Sequence, residues 1–187
     1  MSPASRKNKL QDSTLAALLR DKPKRGRPRD PIPRQSVYVA LSADHKALLG
    51  RLAAELSPVF ERADVPDLAV MVLTARMDAL RRAVADRSAE VPEGVTDLKS
   101  LYYLWDFPMV ADESPIKWTS IRLAPAQLVA FGRLQGMFNA LFGANRSQVF
   151  ALATAALARC LEHDLPATRR VITDFEAFEA VLNAIYL

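Results

Sequence analysis

Hydrophobic and polar residues alternate twice in the same way along this chain. Val37, Val39 and Leu41 alternate with Ser36, Tyr38 and Ala40; further on, Thr119, Ile121 and Leu123 alternate with Trp118, Ser120 and Arg122. A period of two predicts a half-buried strand in each place, the first running from Arg34 to Leu41 and the second ending at Leu123. Behind each strand the period lengthens to that of a helix. Ser42 is a good N-cap for a helix reaching about Leu56, with Leu49, Leu52, Ala53 and Leu56 on its apolar face. Asp64-Val65-Pro66 supplies a cap and a first-turn proline for a second helix reaching about Ala85. Leu68, Met71, Val72, Ala75 and Ala79 line one side of it, Val70, Leu73, Met77 and Leu80 widen the stripe, and a helix that apolar is expected to be buried on most sides.

The order repeats after the second strand. A helix from about Pro125 carries Phe131, Leu134, Phe138 and Leu141 and stops at Gly143-Ala144; Asn145-Arg146-Ser147-Gln148 then has the spacing of a capping box for a last apolar helix reaching about His163. With an offset of 82, Leu41 falls on Leu123 and Gly50-Arg51-Leu52 on Gly132-Arg133-Leu134, four identities in the 18 positions 36–53. A strand followed by two helices leaves the strand's backbone groups unpaired and encloses no core. Two such units solve both problems by pairing their strands antiparallel and interlocking their four helices. The alternative is two unrelated amphipathic hairpins in an all-α domain. The strand–helix–helix order resembles the ribbon-helix-helix family, normally a homodimer. The expectation is therefore a mainly α fold with a short two-stranded antiparallel β-ribbon, two ribbon-helix-helix units forming an intramolecular pseudo-dimer, monomeric and able to associate further on DNA. The divisions are a tail over 1–33, units over 34–87 and 117–164, a linker over 88–116 and a C-terminal helix over 165–187.

Within the linker, residues 96–105 suit a short helix, and the cluster Tyr102, Tyr103, Leu104, Trp105, Phe107 reads as satellite core, since Lys99 is the one basic residue among them. Thr173-Asp174 caps a final helix with Phe175, Phe178, Val181, Leu182 and Ile185 on one face, expected to cover the core or to dock a partner protein.

Charge divides the chain unevenly. Residues 1–34 hold ten Lys/Arg against three Asp, a net of +7, whereas the other residues hold 15 basic against 18 acidic, a net of −3. A cationic tail on a near-neutral body points to a polyanionic partner. At the tail's centre stand Lys24, Arg25, Gly26, Arg27, Pro28 and Arg29. Proline favours extended backbone and glycine lets it approach closely, giving a thin cationic ribbon suited to a narrow AT-rich minor groove. The segment resembles an AT-hook. Upstream, residues 13–21 suit a short capped helix.

Catalytic chemistry finds little support. The one cysteine, Cys160, excludes a disulfide framework and sits on an apolar helix face as a packed thiol; His45 and His163 lack ligand spacing. There is no Gly-rich phosphate loop, no nucleophile–base set and no carboxylate pair in a plausible cleft. The expectation is a non-enzyme with no metal, no cofactor and no membrane span, in a reducing, cytoplasmic compartment.

Likeness to ribbon-helix-helix proteins implies a ribbon that enters the major groove of duplex DNA with its outward side chains on base edges. That outward set is Ser36, Tyr38, Ala40, Trp118, Ser120 and Arg122. Arg122 suits bidentate bonding to guanine, and Trp118, large for the position, has packing against the linker as its alternative. Lys117 is within reach of a phosphate. The resemblance also implies a phosphate anchored at the start of each unit's second helix, where Arg146 and Ser147 fit the role in the second unit. Asp64 and Asp67 stand there in the first and are expected to repel phosphate, so the halves should grip DNA unequally. SVYVALSA at 36–43 and SQVFALATAALARCL at 147–161, behind a basic tail, are similar to the small DNA-binding proteins of the virulence-C operon of agrobacterial T-DNA transfer. That likeness implies an accessory factor in plasmid or T-DNA conjugal transfer or partition, beside a ParA-like ATPase or relaxosome proteins. A transcriptional regulator and an antitoxin-like protein–protein adaptor are the alternatives.

Overall fold

In the computed structural model, residues 33–86, 95–108, 115–165 and 172–186 are described, all within one compact unit, Ile32–Leu187. The tail motif and the helix expected over 13–21 lie outside the described residues. The elements are β1 (Gln35–Leu41), α1 (Ala43–Leu56), α2 (Val65–Ala85), α3 (Leu98–Leu104), β2 (Lys117–Leu123), α4 (Pro125–Phe142), α5 (Arg146–Arg159), a π turn (Cys160–Asp164) and α6 (Phe175–Tyr186). The protein is mainly helical with one two-stranded antiparallel sheet.

Each half opens on strand, helix, helix with nearly constant spacing. The strands start 82 residues apart, α1 and α4 also 82, and α2 and α5 81. The strand register sets Ser36 against Arg122, Tyr38 against Ser120 and Ala40 against Trp118. Tyr38 and Ser120 are themselves 82 apart, so the ribbon's central pair joins corresponding positions of the two strands. Burial corresponds as well: Val39 with Ile121, Leu41 with Leu123, Leu52 with Leu134 and Leu56 with Phe138 are all buried. Each strand packs on the second helix of the other half, β1 on α5 and β2 on α2, while α2 and α5 form the central helix pair.

Local chemistry explains the helix ends. Ser42 Oγ accepts the His45 N–H and lies 2.7 Å from His45 Nδ1. Asn145 and Gln148 form the reciprocal capping box expected from their spacing. Gly143 ends α4 in the left-handed region, φ 64°, where a side chain would be strained. Asp97 and Ser100 cap the short linker helix, and Asp174 accepts the Ala177 N–H at 2.8 Å to start α6.

Three packing expectations need correction. The buried stripe of α1 is His45, Leu48, Leu52 and Leu56, with Leu49 and Ala53 half-buried against the core; steps of three, four and four put these four residues on one face. In α2 burial is complete from Val65 to Leu73 and then confined to Met77, so Ala75, Ala79 and Leu80 lie on its half-exposed end. Leu141 is 61% exposed and not part of the α4 core face, which is Phe131, Leu134 and Phe138, with Phe142 of the same turn packing partly against the core in its place.

The linker and C-terminus join that core at one junction. Arg76 of α2 donates to Asp164 Oδ2 at 2.6 Å, and the Tyr186 hydroxyl donates to the same oxygen at 2.6 Å. The Arg76 guanidinium lies 5.2 Å from the Phe107 ring centre and 5.0 Å from that of Tyr186, within cation–π range. Leu101 and Phe107 are buried, Tyr102 and Trp105 pack partly, and Tyr103 faces solvent. Helix α6 lies on α2 with Phe178 and Leu182 buried and Phe60 edge-on to Phe175 and Phe178. Cys160 is buried, and burial pushes its thiol up to about 11.

Candidate nucleic-acid interface

The ribbon's pleat sends Val37, Val39, Ile121 and Leu123 into the core and leaves the other face open. Ser36, Tyr38, Lys117, Trp118, Ser120 and Arg122 are exposed, and Ala40 is half-buried. The open face is not uniform. Toward the Gln35/Leu123 end stand Ser36 and Arg122, directly opposite one another; toward the Leu41/Lys117 end stand Ala40 and Trp118. Trp118 is 74% exposed and Tyr38 64%. The strand points the Trp118 indole away from the core.

A helix N-terminus lies beside each end. At the Leu41/Lys117 end, α5 begins next to a groove of about 600 Å³ lined by Tyr38, Ala40, Trp118, Asn145, Arg146 and Ser147 among others. Arg146 is exposed and its Nε donates to Gln135 Oε1 at 3.1 Å. The Ser147 hydroxyl accepts the Ala40 N–H at 2.8 Å, so it ties helix to ribbon instead of standing open to a ligand.

At the other end, α2 begins with Asp64 and Asp67, and here electrostatics departs from the sequence expectation. Arg34, just ahead of β1, bonds the Asp64 carboxylate and the Ala63 carbonyl, and its Nη2 lies 3.4 Å from Asp67 Oδ2. Asp67 is 1% exposed and accepts the Ala124 N–H at 2.9 Å; Asp64 accepts the Glu61 N–H at 2.7 Å. Carboxylates at a helix N-terminus are favoured by the helix dipole. These two carry an internal cation, so they close the α2 start from within; they are not bare charges repelling phosphate.

A second groove, about 290 Å³, runs between β2 and the start of α2, lined by Lys46, Arg62, Pro66, Ser120 and Arg122 among others. Lys46 and Arg62 carry no signal in hydrophobic periodicity, and sequence reasoning missed them. Tail residues Lys24 to Arg29 lie outside the described residues. Among the described residues no group of three or more His, Cys, Asp or Glu is placed to hold a metal ion, and no helix is long and apolar enough to cross a membrane. No family model, no curated protein and no solved structure matches this chain.

Proposed function

We propose that this chain is a non-catalytic duplex-DNA-binding protein, two ribbon-helix-helix units folded as an intramolecular pseudo-dimer that inserts its ribbon in the major groove. The observation that carries this reading is the register: position-equivalent Tyr38 and Ser120 face each other, as a local two-fold axis through the ribbon centre requires. The near-constant spacing of strands and helices and the crossed packing of each strand on the other half's second helix support it further. On this reading Arg122 bonds a guanine edge and Ser36 and Ser120 bond neighbouring bases. Lys117, Arg146 and the first N–H groups of α5 hold phosphates. The tail motif from Lys24 to Arg29 adds minor-groove affinity. The role drawn from the virulence-C likeness is an accessory factor in plasmid or T-DNA conjugal transfer or partition, with a ParA-like ATPase or relaxosome proteins as partners.

A second reading, a protein–protein adaptor, has one observation in its favour: the exposed indole and phenol of Trp118 and Tyr38 on a single open face. Anisotropy of the full chain on labelled mixed-sequence and AT-rich duplexes at two salt concentrations separates the two. The DNA reading expects affinity that falls steeply with salt, and a loss of about 1–3 kcal/mol for Arg122→Ala on a preferred site. Duplex binding indifferent to Arg122→Ala and to Arg146→Gln would contradict it.

A further inference from the structure

We infer that the half lacking an open helix N-terminus holds the DNA backbone by long side chains instead, Lys46 and Arg62 flanking Arg122; this rests on the DNA reading above. Three cations line the groove between β2 and α2: Lys46 from α1, Arg62 from the loop before α2, and Arg122 from the ribbon. Each comes from a different segment, so the fold alone assembles them. None is ion-paired among the described residues. No Asp or Glu is among the residues lining the groove, and the two carboxylates at the start of α2, Asp64 and Asp67, share Arg34. The excess is positive, on the side of the ribbon where Arg122 projects.

The geometry suits a phosphodiester strand better than an isolated small anion. The groove is only partly enclosed, and Arg62 and Arg122 are exposed with Lys46 half-buried. When Arg122 reaches a base edge in the major groove, the phosphates bounding that groove pass on either side of the ribbon. Lys46 and Arg62 stand on the flank that Arg146 and α5 do not serve. The two halves would thus engage the backbone by different means, an α5 start with its N–H groups at one end and a side-chain cradle at the other.

Counterion release gives a direct test, because each phosphate neutralised adds about 0.9 to the slope of log K against log salt. The full chain and its Lys46→Gln/Arg62→Gln variant are titrated on a mixed-sequence duplex across a salt series, beside Arg122→Ala and Arg146→Gln. The expected result is a slope reduced by about 2 in the double variant and affinity lowered roughly tenfold at moderate salt, equally on every duplex sequence. The conservative exchange Lys46→Arg/Arg62→Lys should restore the slope, with unchanged thermal melting in both variants. An unchanged slope in the double variant, while Arg122→Ala or Arg146→Gln still weakens binding, overturns the cradle and leaves the ribbon reading standing. If the double variant, Arg122→Ala and Arg146→Gln all leave binding unaltered, the ribbon reading itself fails and the cradle with it.

Discussion

The starts of α2 and α5 occupy corresponding places beside the ribbon, yet they are finished in opposite ways. At α5, Asn145 and Gln148 satisfy each other's backbone N–H groups, Ser147 bonds the edge of β1, and Arg146 lies on the surface. At α2, two carboxylates stand at the helix start and share a nearly buried Arg34. Both ends tie their helix to the fold, but α5 leaves a cation, Arg146, on the surface, whereas α2 turns its cation, Arg34, inward. A homodimer could not do this, because both ends would carry the same residues. On the pseudo-dimer reading proposed above, having both halves in one chain frees each to specialise.

That contrast can be broken by substitution, and the largest effect belongs at α2. Asp67→Ala removes a buried carboxylate, leaves the Ala124 N–H without its acceptor and takes one of two carboxylate partners from Arg34. A loss of about 3 kcal/mol is expected from the urea midpoint, in the range for breaking a buried ion pair. A loss below about 1 kcal/mol would mean the clasp is not structural. The matching change at α5, Ser147→Ala, deletes one hydrogen bond to the Ala40 N–H and should cost about 1 kcal/mol by the same measurement. Equal losses at the two ends would remove the distinction drawn here.

Periodicity made much of the fold legible. The alternation in β1 and β2 gave the ribbon's faces, because backbone geometry imposes it on neighbouring residues, and the repeat at an offset of 82 gave the order of elements. Asn145 and Gln148, three positions apart, were readable for the same reason. What stayed hidden depends on residues distant in sequence. Arg34 and Asp64 lie 30 positions apart and Asp67 and Ala124 57 apart, so the two aspartates looked like bare repulsive charges. Lys46 and Arg62 meet Arg122 only after the strands pair. Leu48 took the centre of the α1 face and Leu49 its half-buried edge, because periodicity fixes the stripe only to within about one residue.

A single experiment bears on the central claim, that one ribbon with two unlike ends reads DNA in one direction. Ala43 and Ala126 are exposed at the starts of α1 and α4, at opposite ends of the ribbon. A cysteine placed at either is labelled selectively with a cleaving iron chelate, since Cys160 is buried with its thiol pushed up to about 11 and should stay unmodified at neutral pH. The DNA is a site enriched by the full chain from a random duplex pool. The account predicts a non-palindromic site, with the Ala43→Cys chelate cutting on one side of it and the Ala126→Cys chelate on the other. Cleavage by each chelate on both sides of a palindromic site would contradict directional reading, and a pool that shows no enrichment would contradict sequence reading by the ribbon altogether.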